Sequence, residues 1–348
     1  MEYLNLKNKQ ALSIDIEPIV TLIAGTQRES GEIPWSEGDK TDPWDHVEAA
    51  MGLCVGGRVR EARRAFEWLA RMQLEDGSWY ASYRLGLPED KTREANMSSY
   101  IAVGVLHHYL VTGDTAWLKE MWKTVRAALD FSLGLQAPGG EIHWAISPQG
   151  QVDPMALLTG SSSVYMSVKC GLSIARLLGH GMPAWAEALK KLGRAIKNRP
   201  HLFNMAKARY SMDWFYPILC GAVGGSDAQK RLDRYWAKYV VEGHGVLCVS
   251  DRPWVTIAET SELVLTLSAL GGQDQAETVF SWIQDKRYQD GSCWCGYTYP
   301  DMVIWPEEKV TWTNAVFLLA ADALYGITPA GRLFSHRSWS PAGVCLLV

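Results

Sequence analysis

Residues 58–69 read Arg-Val-Arg-Glu-Ala-Arg-Arg-Ala-Phe-Glu-Trp-Leu, and residues 98–106 read Ser-Ser-Tyr-Ile-Ala-Val-Gly-Val-Leu. The first stretch places charged and apolar residues on opposite faces of a helix, which is typical of a helix on the surface. The second stretch is small and apolar nearly all round, which is typical of a helix buried on every side. The two kinds alternate along the chain, and this alternation predicts two concentric rings of helices.

Apolar residues recur with a spacing near 3.6 along the whole chain, which predicts many helices and few strands. The predicted helices cover residues 15–25, 43–56, 58–75, 94–112, 115–136, 161–179, 182–198, 212–223, 226–241, 257–270, 273–288 and 309–326. We therefore expect an all-α fold, an (α/α)6 toroid of six helical hairpins, with one domain over residues 1–330. We also expect an irregular tail over residues 331–348 and short ribbons at 245–249 and 292–299.

The links between the predicted helices are of two lengths. Tight links such as Gly56-Gly57 and Gly271-Gly272 follow the buried helices, where Gly suits the carboxyl end of a helix. Long links precede the buried helices. The amino termini of all six inner helices should therefore meet at one mouth, where the long loops gather and where function is expected.

Composition and charge exclude several classes of function. The 348 residues carry a net charge of −4 and no run of Lys or Arg, so we expect no nucleic-acid partner. No apolar stretch is long enough for a transmembrane segment, and residues 1–18 lack the apolar core of a signal peptide. The seven cysteines are scattered, which favours a reducing, cytoplasmic compartment. Zinc-binding spacings and nucleotide-binding glycine motifs are missing, so we expect neither a metal nor another cofactor.

The segments that precede the inner helices bring tryptophans and carboxylates to the mouth. The candidate residues are Trp44, Asp45, Glu48, Trp79, Glu94, Asn96, Asp213, Trp214, Arg252, Trp254, Glu259, Glu262, Trp294, Trp305, Glu307 and Glu308. Asp before a helix often serves only as its cap, and Asp42 before Pro43 fits that role. Two carboxylate pairs, at positions 45 and 48 and at positions 259 and 262, lie three residues apart on buried helices. A buried carboxylate needs either a partner or a function.

Three interpretations suit a wall of this composition. Sugar rings stack on Trp, while paired carboxylates bind hydroxyls and supply an acid and a base. Isoprenoid carbocations are stabilised over aromatic faces. A non-catalytic toroid could bind glycan or lipid at the same mouth. A shallow polar cleft with facing carboxylates would favour sugar, and a dry aromatic tunnel would favour an isoprenoid.

One resemblance is to terpenoid cyclases and the β-subunits of protein prenyltransferases. Residues 65–73, Ala-Phe-Glu-Trp-Leu-Ala-Arg-Met-Gln, followed by Asp76-Gly-Ser-Trp79 resemble their QW repeat, and residues 280–294 contain a looser copy. That superfamily consists of α/α toroids, so the resemblance implies this fold and a prenyltransferase-like protein. The acid motif, the diphosphate-metal motif and the zinc ligands of those enzymes have no match in this sequence.

A second resemblance is to six-hairpin glycosidases of the glucoamylase kind. Residues 109–131 resemble the fourth and fifth helices of that group. Pro306-Glu307-Glu308 with Trp312-Thr-Asn-Ala315 is similar to its Pro-Glu-Gln and Trp-Ser-His-Ala segment, whose Glu is the catalytic base. The resemblance implies that Glu307 is the base, although Glu308 stands where Gln is expected and the gap is shorter.

Our leading hypothesis is a carbohydrate-active enzyme, a glycosidase that acts by inversion on an oligosaccharide or small-molecule substrate. Glu307 or Glu308 would be the base, and Asp213 or Glu259 the acid. The other candidates would form the substrate-binding set, in which the tryptophans stack on sugar and the polar residues bind hydroxyls. The alternative hypothesis is a terpenoid cyclase or prenyltransferase-like protein that handles an isoprenoid in an aromatic cavity.

Overall fold

A computed structural model describes residues 14–348 and confirms the (α/α)6 toroid of six helical hairpins. The inner ring consists of α2 (Pro43–Val55), α4 and α5 (Ala95–Ser99 and Ile101–Thr112), α7 (Leu158–Leu177), α9 (Ser211–Leu219), α11 (Ile257–Leu270) and α13 (Thr311–Tyr325). The outer ring consists of α1 (Glu17–Thr26), α3 (Val59–Met72), α6 (Thr115–Gly134), α8 (Pro183–Asn198), α10 (Gly225–Tyr239) and α12 (Gln273–Ser281). The inner helices are buried nearly all round, as their apolar sequences predict.

Three outer helices end in the same turn, which fastens each of them to the next outer helix. In this turn a Gln is followed four residues later by a Gly with a positive φ. The Gln73 side-chain amide donates to the carbonyl oxygens of Gly77 and of Thr124 in α6, both at 2.9 Å. The corresponding sets are Gln27, Gly31 and Glu61, then Gln136, Gly140 and Ala188.

The sixth outer helix uses a related turn to close the ring. Arg287 Nη1 donates to the carbonyl oxygen of Gly291 at 3.3 Å and to that of Asp15, just before α1, at 2.8 Å. The last inner helix, α13, packs against the first, α2. Closure at both rings distinguishes a toroid from an open solenoid.

Small antiparallel sheets occupy the long loops at the mouth. Their strands are β1 (Ser82–Arg84) with β2 (Leu87–Asp90), β3 (Arg93–Glu94) with β4 (His143–Ile146) and β5 (Val152–Ala156), and β6 (Val240–Val241), β7 (Gly245–Leu247), β8 (Trp254–Thr256) and β9 (Gly296–Thr298). The two predicted ribbons are present as β7 and β9 of one sheet. The first two sheets escaped prediction because strands this short leave no clear alternating pattern.

Several predicted boundaries differ from the structure. Helix α12 ends at Ser281 rather than at 288, because residues 282–288 form turns whose buried Ile283 prolongs the apolar pattern. Helix α7 begins three residues earlier than predicted, and the second inner helix is interrupted at Tyr100. The predicted domain start at residue 1 lies outside the described residues. No helix of residues 14–348 is long and apolar enough to cross a membrane.

The last residues of the chain pack against the toroid through two 3-10 turns, Pro329–Arg332 and His336–Ser338. Leu333 and Cys345 are buried, and the backbone N–H of Cys345 donates to Ser173 Oγ at 2.9 Å.

Candidate active site

A cavity of about 450 Å³ opens at the mouth where the inner helices begin. Tryptophans and carboxylates share its wall with small polar and apolar residues. Its lining consists of Trp35, Asp42, Trp44, Asp45, Asn96, Met97, Thr159, Gly160, Ser163, Met212, Tyr216, Trp254, Cys295, Trp305, Pro306, Glu308, Val310, Trp312 and Thr313. Among the predicted site residues, the structure brings together Trp44, Asp45, Asn96, Trp254, Trp305 and Glu308 in this cavity.

Trp44 lies at the centre of an aromatic cluster in the cavity wall. Its ring stacks on Tyr100 with centroids 4.7 Å apart and meets Trp312 edge-on at 5.9 Å. Its indole N–H donates to Ser163 Oγ at 3.3 Å. Contacts on several sides hold the Trp44 ring in one orientation, as is required of an aromatic ring on which a ligand stacks.

Asp42 caps helix α2, as its position before Pro43 predicts. Its Oδ1 accepts from the backbone N–H groups of Trp44 and Asp45, both at 2.9 Å, and its Oδ2 accepts from the Trp35 indole. The cap fixes the first turn of α2, which carries Asp45 into the cavity.

Asp45 is the carboxyl of this cavity that has no local partner. It is half-buried, and no donor among the described residues hydrogen-bonds to its carboxyl group. Burial and the neighbouring carboxyls of Asp42 and Glu48 hold the pKa of Asp45 well above its ordinary value. A carboxyl whose pKa is raised keeps its proton to a higher pH than an ordinary carboxyl and can donate it to a bound molecule.

Two further carboxyls, Glu48 and Glu262, lie beneath the cavity and are 2% and 1% exposed. The Tyr100 hydroxyl donates to Glu48 Oε1 at 2.6 Å, and the Trp312 indole donates to Glu48 Oε2 at 3.0 Å. The Tyr216 hydroxyl donates to Glu262 Oε1 at 2.7 Å. Burial raises the pKa of Glu48 to about 7, and burial together with Glu48 raises the pKa of Glu262 well above its ordinary value.

Glu259 and Glu308 both interact electrostatically with Cys295, a residue of the cavity wall. Glu308 lines the cavity and accepts a hydrogen bond from the Ser36 hydroxyl at 2.5 Å. Glu259 is 6% exposed and is hydrogen-bonded to the thiol of Cys248. Burial and the negative charges of Glu259, Glu308 and Asp45 raise the pKa of Cys295 to about 12.

Asp213 and Trp214 face away from this cavity. Asp213 Oδ1 accepts from the hydroxyl and the backbone N–H of Thr159 at 2.6 and 3.1 Å, and the Trp214 indole donates to the carbonyl oxygen of Arg231. Both residues line a separate cavity of about 300 Å³ between the rings. Neighbouring residues on a helix point about 100° apart, so Met212 and Tyr216 face the mouth while Asp213 and Trp214 do not.

The remaining predicted residues also lie outside the cavity lining. Glu307 and Arg252 are exposed on loops. Trp79 is 1% exposed, and its indole N–H is bound to the carbonyl oxygen of Leu69, so its ring belongs to the core. Trp294 is half-buried edge-on to Tyr297. Glu94 is half-buried near Asp42, and burial raises its pKa to about 7.

Several cavity residues were not predicted. They lie mostly in the first turns of the inner helices and include Met97, Thr159, Gly160, Ser163, Met212, Tyr216, Cys295, Trp312 and Thr313. Their spacing of four residues, as in Thr159 and Ser163, was the available signal, because such residues share one helix face. No group of three or more His, Cys, Asp or Glu side chains among residues 14–348 could hold a metal ion.

The chain is similar in sequence to a glycosidase. It is 47% identical over 312 residues to the MMP endo-(1,4)-3-O-methyl-alpha-D-mannosidase of Mycolicibacterium hassiacum, an alignment that covers 90% of this chain and 86% of that enzyme. The chain belongs to the family of this endo-mannosidase. Membership of this mannosidase family identifies the chain as a glycosidase, as the paired carboxylates led us to expect.

Other relatives are more distant. An uncharacterized glycosyl hydrolase of Methanocaldococcus jannaschii is 26% identical over 130 residues, which cover 36% of this chain and 21% of that protein. No family model matches the sequence.

Solved structures share the toroid at low sequence identity. A wild-type glycosidase has a TM-score of 0.67 and 14% identity, and the match covers 94% of this chain and 99% of that one. An uncharacterized conserved protein from Thermus thermophilus has a TM-score of 0.70 and 11% identity, and the match covers 87% of this chain and 99% of that one. At these identities the similarity shows the fold alone. The resemblance to terpenoid cyclases receives no support. The QW-like segment at residues 65–79 spans the end of α3 and the turn that fastens α3 to α6.

Proposed function

We propose that the protein is an endo-mannosidase that hydrolyses α-(1,4) linkages between 3-O-methylmannose units. The observation that carries the proposal is the position of Asp45, an unpartnered carboxyl in a tryptophan-lined cavity that Glu308 also lines. The relative named above supplies the substrate class, because its name specifies this linkage and this sugar.

The apolar part of the cavity wall supports a methylated substrate. Met97, Met212, Val310 and Cys295 lie among the tryptophans. Methylation of a sugar hydroxyl removes a hydrogen-bond donor and adds an apolar group. Apolar side chains contact such a group favourably, whereas a free hydroxyl against them would lose its hydrogen bonds with water.

The proposed reaction uses Asp45 as the general acid. Asp45 gives its proton to the glycosidic oxygen as the bond between that oxygen and C1 breaks. A second carboxylate takes a proton from water, whose oxygen forms the new bond to C1. The candidates for this base are Glu308, which lines the cavity, and Glu259, whose charge acts on Cys295 in the cavity wall. Attack by water on the face opposite the leaving group inverts the configuration at C1.

The first experiment measures the cleavage of (1,4)-linked 3-O-methyl-α-mannose oligosaccharides by mass spectrometry. We expect Asp45→Asn to lower kcat by about 10²- to 10⁴-fold, the usual contribution of a general acid. The matched control is Asp274→Asn, which makes the same chemical change at an exposed position in the first turn of an outer helix. Wild-type activity in Asp45→Asn, or equal losses in both variants, would refute the assignment.

The base is identified by chemical rescue. Glu259→Ala and Glu308→Ala each leave room for a small anion, and azide can replace water as the attacking group without deprotonation. We expect azide to restore turnover and to form a mannosyl azide in the variant that lacks the base. Rescue of neither variant would mean that another group activates the water.

A further inference from the structure

Three neighbouring carboxyls in and beneath the cavity lie too close together for all of them to be charged. Asp45, Glu48 and Glu262, which we call the floor carboxyls, interact electrostatically with one another. Neighbouring carboxylates in a buried site do not all ionise, because each charge disfavours the next. Some of the floor carboxyls therefore carry protons, and the arrangement of hydrogen-bond donors decides which ones.

The donors are distributed unequally. Both oxygens of Glu48 accept a hydrogen bond, one from Tyr100 and one from Trp312. Glu262 accepts one hydrogen bond, from Tyr216, and its Oε2 has no partner among residues 14–348. The Asp45 carboxyl accepts none from the described residues. Hydrogen bonds to a carboxylate favour its charged form, so the negative charge belongs on Glu48.

We propose that Glu48 is the charged member of the floor carboxyls and that its negative charge keeps the proton on Asp45. Glu48 is then a positioning residue, because it acts through Asp45 and not on the substrate. Glu48 lies three residues after Asp45 on α2, and such residues are neighbours on one helix face. Without a nearby anion, Asp45 would lose its proton at a lower pH. The inference rests on the proposed role of Asp45 as the acid, but the charge distribution itself can be measured without activity.

Other ionisable groups face the same site, and the experiment leaves them unchanged. The groups that face Asp45 or Glu48 from the surrounding elements are Lys40 and Asp42 before α2, Tyr100 between α4 and α5, Tyr216 and Cys220 on and after α9, Glu262 on α11, and Cys295 before β9. Lys40 is the cation of this set and acts against the effect of Glu48 on Asp45.

The test compares Glu48→Gln with Glu262→Gln, two identical changes at equally buried positions. Glu48→Gln removes the anion, and the midpoint of the Asp45 titration should fall by roughly two pH units for charges about 6 Å apart at an effective dielectric constant near 20. The alkaline limb of kcat/KM, where the acid loses its proton, should fall with it. Glu262→Gln replaces one neutral group by another, so the same midpoint should stay where it is in the wild type.

Tyr100→Phe provides a second variant should Glu48→Gln fail to fold. It keeps the ring that stacks on Trp44 and removes one donor from Glu48. Glu48 then binds a proton more readily, and the Asp45 midpoint should shift in the same direction as in Glu48→Gln but by less.

Infrared difference spectroscopy reads the Asp45 midpoint directly, as the protonated-carboxyl band that Asp45→Asn removes in each background. An unchanged midpoint in Glu48→Gln and Tyr100→Phe, or an equal fall in Glu262→Gln, would overturn the inference. Absence of mannosidase activity in the wild type would refute the proposed function instead, while the infrared midpoints would still decide the charge distribution.

Discussion

Replacement of Gly77 by Ala tests the turn that fastens the outer helices together. Gly77 has a φ of +90°, and its carbonyl oxygen accepts from Gln73. A Cβ at this position would lie 2.2 Å from the carbonyl oxygen of Ala127 in α6. Alanine should therefore strain the backbone and push the turn away from the neighbouring helix, weakening the contact between Gln73 and Thr124.

A matched glycine separates these two effects. Gly57 also has a positive φ, +74°, but a Cβ there would meet nothing within 4 Å. A left-handed backbone costs a residue with a Cβ about 1–2 kcal/mol. Crowding in a packed region adds about 1–3 kcal/mol. We expect the free energy of unfolding to fall by about 1–2 kcal/mol in Gly57→Ala and by about 2–5 kcal/mol in Gly77→Ala.

The measurement is urea denaturation of the wild type and both variants, followed by circular dichroism. Each midpoint multiplied by a common m-value gives the change in stability. Equal losses of stability in the two variants, or a larger loss in Gly57→Ala, would show that the close approach of this turn to α6 does not stabilise the ring.

Two buried ionisable residues should make stability depend on pH in defined directions. Neither ring nitrogen of His107 has a hydrogen-bond partner among the described residues, and burial lowers the pKa of His107 to about 3. As the pH falls below 6.5, His107 binds a proton in the unfolded chain but not in the folded state, which favours unfolding. His107→Leu should therefore raise Tm more at pH 5 than at pH 8. A larger increase in Tm at pH 8 would contradict this. Lys169 donates to the carbonyl oxygen of Cys220 and lies 4.1 Å from the Trp339 ring centroid, and burial lowers its pKa to about 8. Between about pH 8 and 10.5 the folded state binds fewer protons than the unfolded chain, so the stability of the wild type relative to Lys169→Met should increase as the pH rises through that range. A difference in Tm that does not change with pH would show that Lys169 is not buried as a neutral amine.

The fold follows from sequence because the alternation of helix types is repeated six times. An amphipathic helix such as α3 must cover a core, and an apolar helix such as α13 must be covered, so concentric rings satisfy both. The position of the mouth follows from the lengths of the links. Short strands such as β3 and β4 cannot be predicted from the sequence, because they pair only after the two rings of helices have brought their loops together.

The site can be predicted from the sequence only in part, because the inner helices lack a polar face. An amphipathic sequence shows which side of a helix faces the core, whereas an apolar one leaves its rotation undetermined. Asp213 was therefore predicted at the mouth, although only Met212 and Tyr216 of that helix face it. The hydrogen bonds of Glu48 with Tyr100 and Trp312 join three different helices, so no local pattern contains them.

The role of Asp45 as the acid is tested most directly with two substrates that differ in whether the leaving group needs a proton. One is a 3-O-methylmannose oligosaccharide, and the other is the same chain with a dinitrophenyl group at the bond to be cleaved, which departs without protonation. We expect Asp45→Asn to slow hydrolysis of the first substrate by about 10²-fold or more and hydrolysis of the second only slightly. Equal losses with both substrates, or no cleavage of either by the wild type, would contradict the claim that Asp45 is the acid of a mannosidase.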